Sequence, residues 1–357
     1  MKRIPSLDGL RAISIILVLI AHSRLCAGFP AQYADLARHG RVGVTVFFVI
    51  SGFLITSLLL KEYSENNSIS IKGFYTRRAL RILPVFILYT VFILTLGRVT
   101  LNNTELMHTY TFTANFDDPK RSWYIFHLWT LSVEEQFYLF WPAIFIIFRK
   151  FLKPTLFIFI IYSCITRVVA YKFPEYATVM LAPYFSEGDA IMIGALGGIM
   201  LFENPSMIKH RVFNSYILQL AAIVIIGTFV YLSGYGKLAK IALPFGNAII
   251  SISILFLIFS YITPSEKVIY KILNNKVMVH TGVLSYSLYI WQQYFLSSDY
   301  LPVLRFFPIN IVIIYLVSLA SYYLWESQFL KLKRYISKND FRSNFKFSFA
   351  RKKQTHL

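Results

Sequence analysis

Apolar stretches of about 20 residues recur along nearly the whole chain, separated by short loops rich in Lys and Arg. Each stretch is long enough to cross the hydrocarbon core of a bilayer as a helix. Of the 357 residues, 56% are apolar or aromatic and only 15% are charged, and the mean hydropathy is +0.56. These values exclude a water-soluble globular domain. We therefore predict an all-α fold, a polytopic transmembrane bundle of about ten helices.

The loops are too short to form a separate soluble domain. We assign residues 1–335 to one membrane-embedded domain and residues 336–357 to a basic, disordered cytoplasmic tail. Two cysteines, Cys26 and Cys164, lie in different predicted helices, which predicts neither a disulfide framework nor a zinc site. The predicted helices lie near residues 10–28, 43–60, 82–98, 126–148, 154–170, 189–203, 214–233, 241–262, 279–298 and 308–330.

The basic residues predict the orientation of the bundle. The chain holds 36 Lys and Arg against 17 Asp and Glu, a formal net charge of +19. With the N-terminus inside, roughly two thirds of the Lys and Arg fall in cytoplasmic segments, as the positive-inside rule requires. Topology therefore explains the positive charge without a nucleic-acid partner, and both termini are expected in the cytoplasm.

The first predicted helix carries three ionisable residues on one face. Asp8 lies one turn before Arg11, and His22 follows Arg11 by 11 residues, a rise of about 16 Å along a helix. Ionisable groups inside apolar helices are costly and usually face a cavity, a partner or a reaction. An imidazole can act as general base or carry an acyl group. The pattern supports a catalytic and a structural role for His22 equally.

A second cluster precedes the third predicted helix. Arg77 and Arg81 are four residues apart and Arg78 and Arg81 are three apart, so a helix would present all three guanidinium groups on one side. Guanidinium groups bind phosphates in a bidentate way, and coenzyme A carries several phosphates. Positive-inside topology explains the same charges equally well.

A third cluster opens the fourth predicted helix. His127 and Glu134 would share a helix face, and Glu134 is expected to face a cavity and to serve acid–base chemistry or acceptor binding. Ser132 and Glu135 fit a capping box, which favours a helix start for Glu135. The residues of this cluster that we assign to the acceptor site or cavity are His127, Trp129, Ser132, Glu135 and Tyr138.

Several sequence motifs occur in the order found in a known family. They begin with the Asp8, Arg11 and His22 pattern and end at Glu326; between these lie residues 43–55, 74–84, 127–142 and 285–291. Together they resemble the acyltransferase 3 family of membrane-bound acyltransferases, which occurs mainly in bacteria and includes O-antigen acetyltransferases. The resemblance covers most of the chain. It implies a ten-helix protein of the bacterial cytoplasmic (inner) membrane, and the chain ends too early for the periplasmic esterase-like domain of some members.

The resemblance also assigns roles to individual residues. It implies that His22 is catalytic, that Arg11 is its partner, and that Arg78 and Arg81 lie on the acyl-CoA side. Three positions depart from the common pattern: Thr45 stands where many members have Asp, Gln292 where many have His, and Ser327 where Arg or Lys before Pro is common.

These observations predict an O-acyltransferase of cell-surface glycans. Acyl-CoA, most often acetyl-CoA in this family, would be a co-substrate with its phosphates on the three arginines of residues 77–81. The acceptor would be a glycan or a lipid-linked precursor, with membrane lipids as the other partners and with no permanently bound cofactor or metal. The alternatives are a flippase for lipid-linked sugars and a structural scaffold.

Overall fold

The computed structural model describes residues 3–335 except 38, 98, 117–120, 178–181, 297–301 and 334. The tail predicted for residues 336–357 lies outside the described residues. The described part of the chain is helical and contains no strand, so the predicted all-α class is confirmed.

Ten long helices, α1 to α10, occupy most of the described chain. Their bounds are α1 Pro5–Ser23, α2 Arg41–Asn66, α3 Ile71–Thr95, α4 Leu128–Ile147, α5 Leu152–Lys172, α6 Ala182–Glu203, α7 Tyr216–Gly234, α8 Ala239–Tyr261, α9 Lys276–Phe295 and α10 Ile309–Lys333, with a π-helical segment at Ser321–Glu326. Shorter α-helices lie at Ala34–Ala37, Asn103–Tyr110, Trp123–Phe126, Arg211–Asn214 and Val268–Leu273, and 3₁₀ turns at Ala31–Tyr33, Ala114–Phe116, Arg149–Phe151, Pro174–Tyr176, Pro205–Lys209 and Pro302–Arg305.

Seven of these helices are long and apolar enough to cross a membrane, counted over the described residues. The other three, α4, α6 and α9, carry acidic or amide side chains within the helix. Those side chains lie inside the bundle: Asp189, Gln292 and Gln293 are fully buried. A polar helix can stay at membrane depth when its neighbours enclose it, because lipid then meets only the apolar helices.

The helices form two groups that meet along α2. On one side α1 packs against α2 and α9, α9 packs against α10 and α3, and α4 contacts α2 and α3. On the other side α6 packs along α2, α5 packs on α6, α7 pairs with α8, and α8 packs against α5, α6 and α2. Each group encloses its own polar interior.

Glycines let these helices approach closely. A Cβ added to Gly52 of α2 would overlap the Ile191 carbonyl of α6, and one added to Gly194 would overlap the Val49 carbonyl of α2. A Cβ on Gly282 of α9 would likewise overlap the backbone of Asp8 in α1. The small residues Gly52 and Gly194 therefore serve close packing of α2 and α6.

One expected helix start and one expected helix cap are wrong. The third helix begins at Ile71 rather than near 82, because Ser70 caps its N-terminus by accepting from Gly73 N at 3.1 Å, and the helix continues through Pro84. The basic cluster therefore lies inside α3. The fourth helix begins at Leu128, so Ser132 and Glu135 are interior positions and the predicted capping box does not form.

We expect Gly52→Ala to lower the free energy of unfolding by about 1–3 kcal/mol, because the new methyl group must displace a backbone carbonyl of α6. Gly227→Ala on α7 is the matched control, since its Cβ meets no atom within 4 Å. Thermal or chemical unfolding of the detergent-solubilised protein measures both. An equal loss at the two positions would contradict the close approach of α2 and α6.

Candidate active site

A cavity of about 470 Å³ opens at the end of the bundle where α1 begins; we call it the basic cavity. Five of its lining residues are cationic and one is acidic, which gives it a strongly positive interior. Facing cations of this kind are costly without an anionic partner, and they raise the local concentration of anions. The charged residues that line it are Arg3, Asp8, Arg11, Arg78, Arg81 and Lys333.

Asp8 holds two of these cations in place. One carboxylate oxygen accepts from Arg3 Nε at 2.7 Å and the other accepts from Arg11 Nη1 at 3.2 Å. The three residues lie in or just before the first two turns of α1, so helix geometry alone brings Asp8 and Arg11 together. Asp8 therefore orients Arg11 toward the cavity.

Arg81 is fixed from the opposite side. Its Nη1 donates to Glu326 of α10 at 3.0 Å, and the second oxygen of Glu326 accepts from Ser287 of α9 at 2.7 Å. The Glu326 side chain is 1% exposed, and it ties α3, α9 and α10 together at the cavity wall.

Arg78 and Arg77 differ sharply despite being neighbours. The Arg78 guanidinium lies 5.5 Å above the ring of Tyr138, forms no ion pair among the described residues, and lines the basic cavity. Arg77 donates to Glu62 of α2 at 2.8 Å and lines neither this cavity nor the next. The spacing of the three arginines predicted one shared face, and the structure brings only Arg78 and Arg81 to the cavity.

The basic cavity continues into a narrower one of about 120 Å³, the inner cavity. The two share five lining residues, so they form one passage into the bundle. One face of α4 supplies its acidic wall, since Thr130, Glu134 and Tyr138 recur at four-residue spacing. Glu134 accepts a hydrogen bond from Ser51 of α2 at 2.6 Å. The shared residues are Arg11, Ser51, Arg78, Arg81 and Tyr138.

Tyrosines of α9 close the far end of the passage. Tyr286 and Tyr289 both line the inner cavity, so this part of α9 faces the interior of the bundle. The Tyr289 hydroxyl shares a 2.6 Å hydrogen bond with Thr130 and donates to the His127 carbonyl at 3.0 Å. The passage therefore ends at a contact between α9 and the start of α4.

His22 lies beyond this end. Its Nδ1 is 3.1 Å from Oε1 of Gln292, which follows Tyr289 by three residues and so sits about one helical turn farther along α9. The imidazole packs edge-on against Trp123, with ring centroids 5.7 Å apart. With the amide oxygen facing the ring, Nδ1–H is the donor and Nε2 keeps its lone pair. A neutral imidazole held in this tautomer can accept a proton or attack a carbonyl carbon at Nε2.

The remaining predicted acceptor residues lie outside the two cavities. His127 is 1% exposed and packs between the rings of Tyr89 and Tyr289. Trp129 packs edge-on against Phe48. Ser132 bonds the Leu128 carbonyl and accepts from Ala114 N, and one Glu135 oxygen is buried without a hydrogen-bond partner among the described residues. Within this predicted group Tyr138 alone lines the described passage.

Sequence reasoning missed several residues of the passage. Ser51 and Gly52 look alike as small helix residues, and only the fold distinguishes the hydrogen-bond donor from the packing glycine. Lys333 stands in a basic C-terminal run whose charge is explained by topology. Gln292 was noted as a departure, and its position beside His22 gives that departure a structural meaning.

Comparison with known proteins places the whole described bundle in one group. A family described as an acyltransferase domain matches residues 4–326. The peptidoglycan O-acetyltransferase OatA of Listeria monocytogenes serovar 1/2a is 27% identical over 97% of this chain and 57% of its own length. The O-acetyltransferase OatA of Staphylococcus aureus strain NCTC 8325 is 30% identical over 81% of this chain and 50% of its own length. The chain thus spans about half the length of these curated relatives, and no solved structure matches it.

Removing the Ser51 hydroxyl should destabilise the protein by about 1–3 kcal/mol, because it leaves a Glu134 oxygen short of a donor. Ser57→Ala is the matched control on the same helix, since its hydroxyl bonds only the Phe53 carbonyl one turn earlier. Unfolding free energies of Ser51→Ala and Ser57→Ala in detergent give the comparison. Equal values would mean that Ser51 and Glu134 are not coupled.

Proposed function

The chain belongs to the acyltransferase 3 family, and from that premise we propose that it moves an acyl group from cytoplasmic acyl-CoA to a hydroxyl of a cell-surface glycan or of its lipid-linked precursor. The observation that carries the proposal is the passage that begins in a strongly cationic cavity and ends at Tyr289, one helical turn along α9 from Gln292, the hydrogen-bond partner of His22. We place the protein in the bacterial cytoplasmic membrane with both termini in the cytoplasm, so that the basic cavity faces the donor.

The charge of the basic cavity supports a donor with several phosphates. Five cations face one carboxylate there, and Arg78 has no anionic partner within the described chain. Coenzyme A carries a pyrophosphate and a ribose phosphate, which guanidinium groups bind with paired hydrogen bonds. Arg11 and Arg81 are already oriented by Asp8 and Glu326, so they can bind phosphate without losing much side-chain entropy.

The shape of the passage supports an extended thioester arm. Beyond the arginines the space narrows to the inner cavity, whose walls include the rings of Phe47, Tyr286 and Tyr289. Arg11 and His22 are 11 residues apart on α1, a rise of about 16 Å, which the extended arm of an acyl-CoA can span. Reaching Nε2 of His22 requires the Tyr289 contact with Thr130 to open.

His22 performs the chemistry in this proposal. In the direct route Nε2 takes the proton of the acceptor hydroxyl, whose oxygen forms the new C–O bond while the C–S bond of the thioester breaks. The proton then passes to the departing thiolate and gives free CoA. In the relay route Nε2 attacks the thioester carbonyl and the C–S bond breaks, which releases the CoA thiolate; the acceptor oxygen then displaces the imidazole from the acyl carbon, and the hydroxyl proton converts the thiolate to free CoA. Gln292 fixes the tautomer in both routes, and Glu134 orients the donor or receives a proton.

The acceptor reaches His22 from the end of the bundle opposite the basic cavity. We propose an acetyl group as cargo, since the relatives are named O-acetyltransferases. Peptidoglycan, the acceptor in the name of the Listeria relative, is the first glycan to test, followed by lipopolysaccharide O-antigen and capsule. Acyl transfer is preferred to lipid-linked sugar flipping because the matched family and relatives carry transferase descriptions.

Arg78→Gln should weaken acetyl-CoA binding at least tenfold, about 1.4 kcal/mol, because it removes a cation that has no other anionic partner in the described cavity. Arg77→Gln is the matched control. It removes the same charge at the neighbouring residue, whose guanidinium already pairs with Glu62, and it should change the affinity for acetyl-CoA less than threefold. Titration calorimetry with purified protein in nanodiscs measures both. Equal weakening would mean that the basic cavity is not the phosphate site.

His22→Ala should lower acyl transfer by about 10²–10⁴-fold while acetyl-CoA binding stays unchanged, because His22 lies outside both cavities and acts only on the transferred group. The readout is the O-acyl content of purified surface glycans, by NMR and mass spectrometry, in a deletion strain complemented with wild type or variant at matched membrane levels. Acylation restored equally by both would remove His22 from the reaction, and no acylation with wild type would contradict a glycan acceptor.

A further inference from the structure

A second cavity, of about 580 Å³, lies in the other half of the bundle; we call it the distal cavity. Residues from α2, α5, α6, α7 and α8 line it, and it shares none of its described lining residues with the basic or inner cavity. The start of α2 contributes Arg41, Val42 and Thr45, whereas the passage uses α2 from Val44 to Leu58. The distal and basic cavities therefore open toward opposite ends of the bundle.

The mouth of the distal cavity lies level with His22. A Cβ added to Gly40, the residue before Arg41, would overlap the Cβ of Ala21, which precedes His22 in α1. The two sites thus stand on either side of the first turn of α2. A ligand that contacted both sites would have to extend around this turn.

A buried carboxylate organises the polar wall of the distal cavity. Asp189 is fully buried, and its two oxygens accept from Arg167 Nη2 at 2.8 Å and from Asn247 Nδ2 at 2.6 Å. Arg167 also donates to the Pro244 carbonyl at 2.7 Å, and Asn247 accepts from Thr45 at 3.4 Å. Side chains from four helices are therefore held in fixed orientations, as polar groups that recognise a ligand must be.

The charges of this wall are balanced, unlike those of the basic cavity. Arg167 pairs with Asp189, and Arg41 pairs with Glu187. A polyanion would gain little here, because each guanidinium already has its carboxylate. Paired charges and amides instead offer both donors and acceptors, which matches a ligand rich in hydroxyl groups.

We propose that the distal cavity is a subsite for an uncharged sugar residue of the acceptor glycan, distinct from the residue that is acylated. Tyr171, 71% exposed, offers a ring face at the rim, and the exposed Ser233 and Ala239 line the same cavity. Binding of a remote sugar supplies energy that positions the reacting hydroxyl at His22. The inference rests on the proposed function, because it assigns a place to that reaction's acceptor.

Direct binding tests the subsite without catalysis. We would use wild-type protein in nanodiscs and saturation-transfer NMR with chitotriose, maltotriose and mannotriose as uncharged probes, and glucose 1-phosphate as the charged one. We expect binding of at least one trisaccharide at about 10 mM or below, unaffected by excess acetyl-CoA. No binding of any trisaccharide, or a preference for glucose 1-phosphate, overturns the proposal.

Filling the cavity tests its location. Ala239→Trp, from α8, and Ser233→Trp, from α7, each place a large ring in the distal cavity at an exposed position without removing a buried polar contact. Both should weaken binding of the trisaccharide at least tenfold. Gly227→Trp, on α7 where nothing lies within 4 Å, is the matched control and should bind as wild type does. Equal binding by all four proteins means that the network only joins helices, and it overturns the proposal.

A kinetic comparison separates this inference from the proposed function. With acetyl-CoA as donor, a trisaccharide acceptor should show a kcat/KM at least tenfold above that of its monosaccharide, and Ala239→Trp should abolish this ratio. A ratio that survives the substitution overturns the subsite alone. In another outcome, wild-type protein binds the trisaccharide and the Trp variants lose that binding, while no protein transfers an acyl group. That result contradicts the proposed function but supports the subsite as a glycan-binding site.

Discussion

Water is absent from the hydrocarbon core of a bilayer, so each polar group placed there must find its partner within the protein. That requirement governs the interior of this bundle. Glu326 accepts from both α3 and α9, Asp189 accepts from α5 and α8, and Glu134 accepts from α2. Each of these three carboxylates therefore joins helices that are distant in sequence, and the same bonds that satisfy it also fix the walls of a cavity. Function and assembly share one set of interactions here.

Glycine complements these polar contacts. Without side chains at Gly52 and Gly194, the backbones of α2 and α6 approach closely enough for the two halves of the bundle to share one central helix. The central helix can then present one face to the cationic passage and the other to the balanced cavity. A wider separation of α2 and α6 would open the wall between the two compartments.

The composition of the sequence and the helical spacing of its residues predicted much of this arrangement. The number and approximate place of the long helices follow from apolar runs, and the proximity of Asp8 and Arg11 follows from helical spacing. The contacts between helices could not be predicted from the sequence in this way. Spacing could not distinguish Arg77 from Arg78, because the distinction depends on Glu62 at the far end of α2. The capping box predicted at Ser132 failed because the helix starts one turn earlier, a boundary that only the preceding loop determines.

The pairing of α1 with α9 has a consequence for biogenesis. His22 and Gln292 are separated by 270 residues, and Ser6 and Asn274 by 268. During synthesis α1 enters the membrane long before its partner exists, with Arg11 and His22 on a face that α9 will later cover. Contacts of such sequence separation form late. Until the ninth helix is inserted, the polar face of α1 in the nascent chain therefore stays uncovered. A chain that terminates earlier keeps this face exposed to lipid, where membrane quality-control proteases can recognise it.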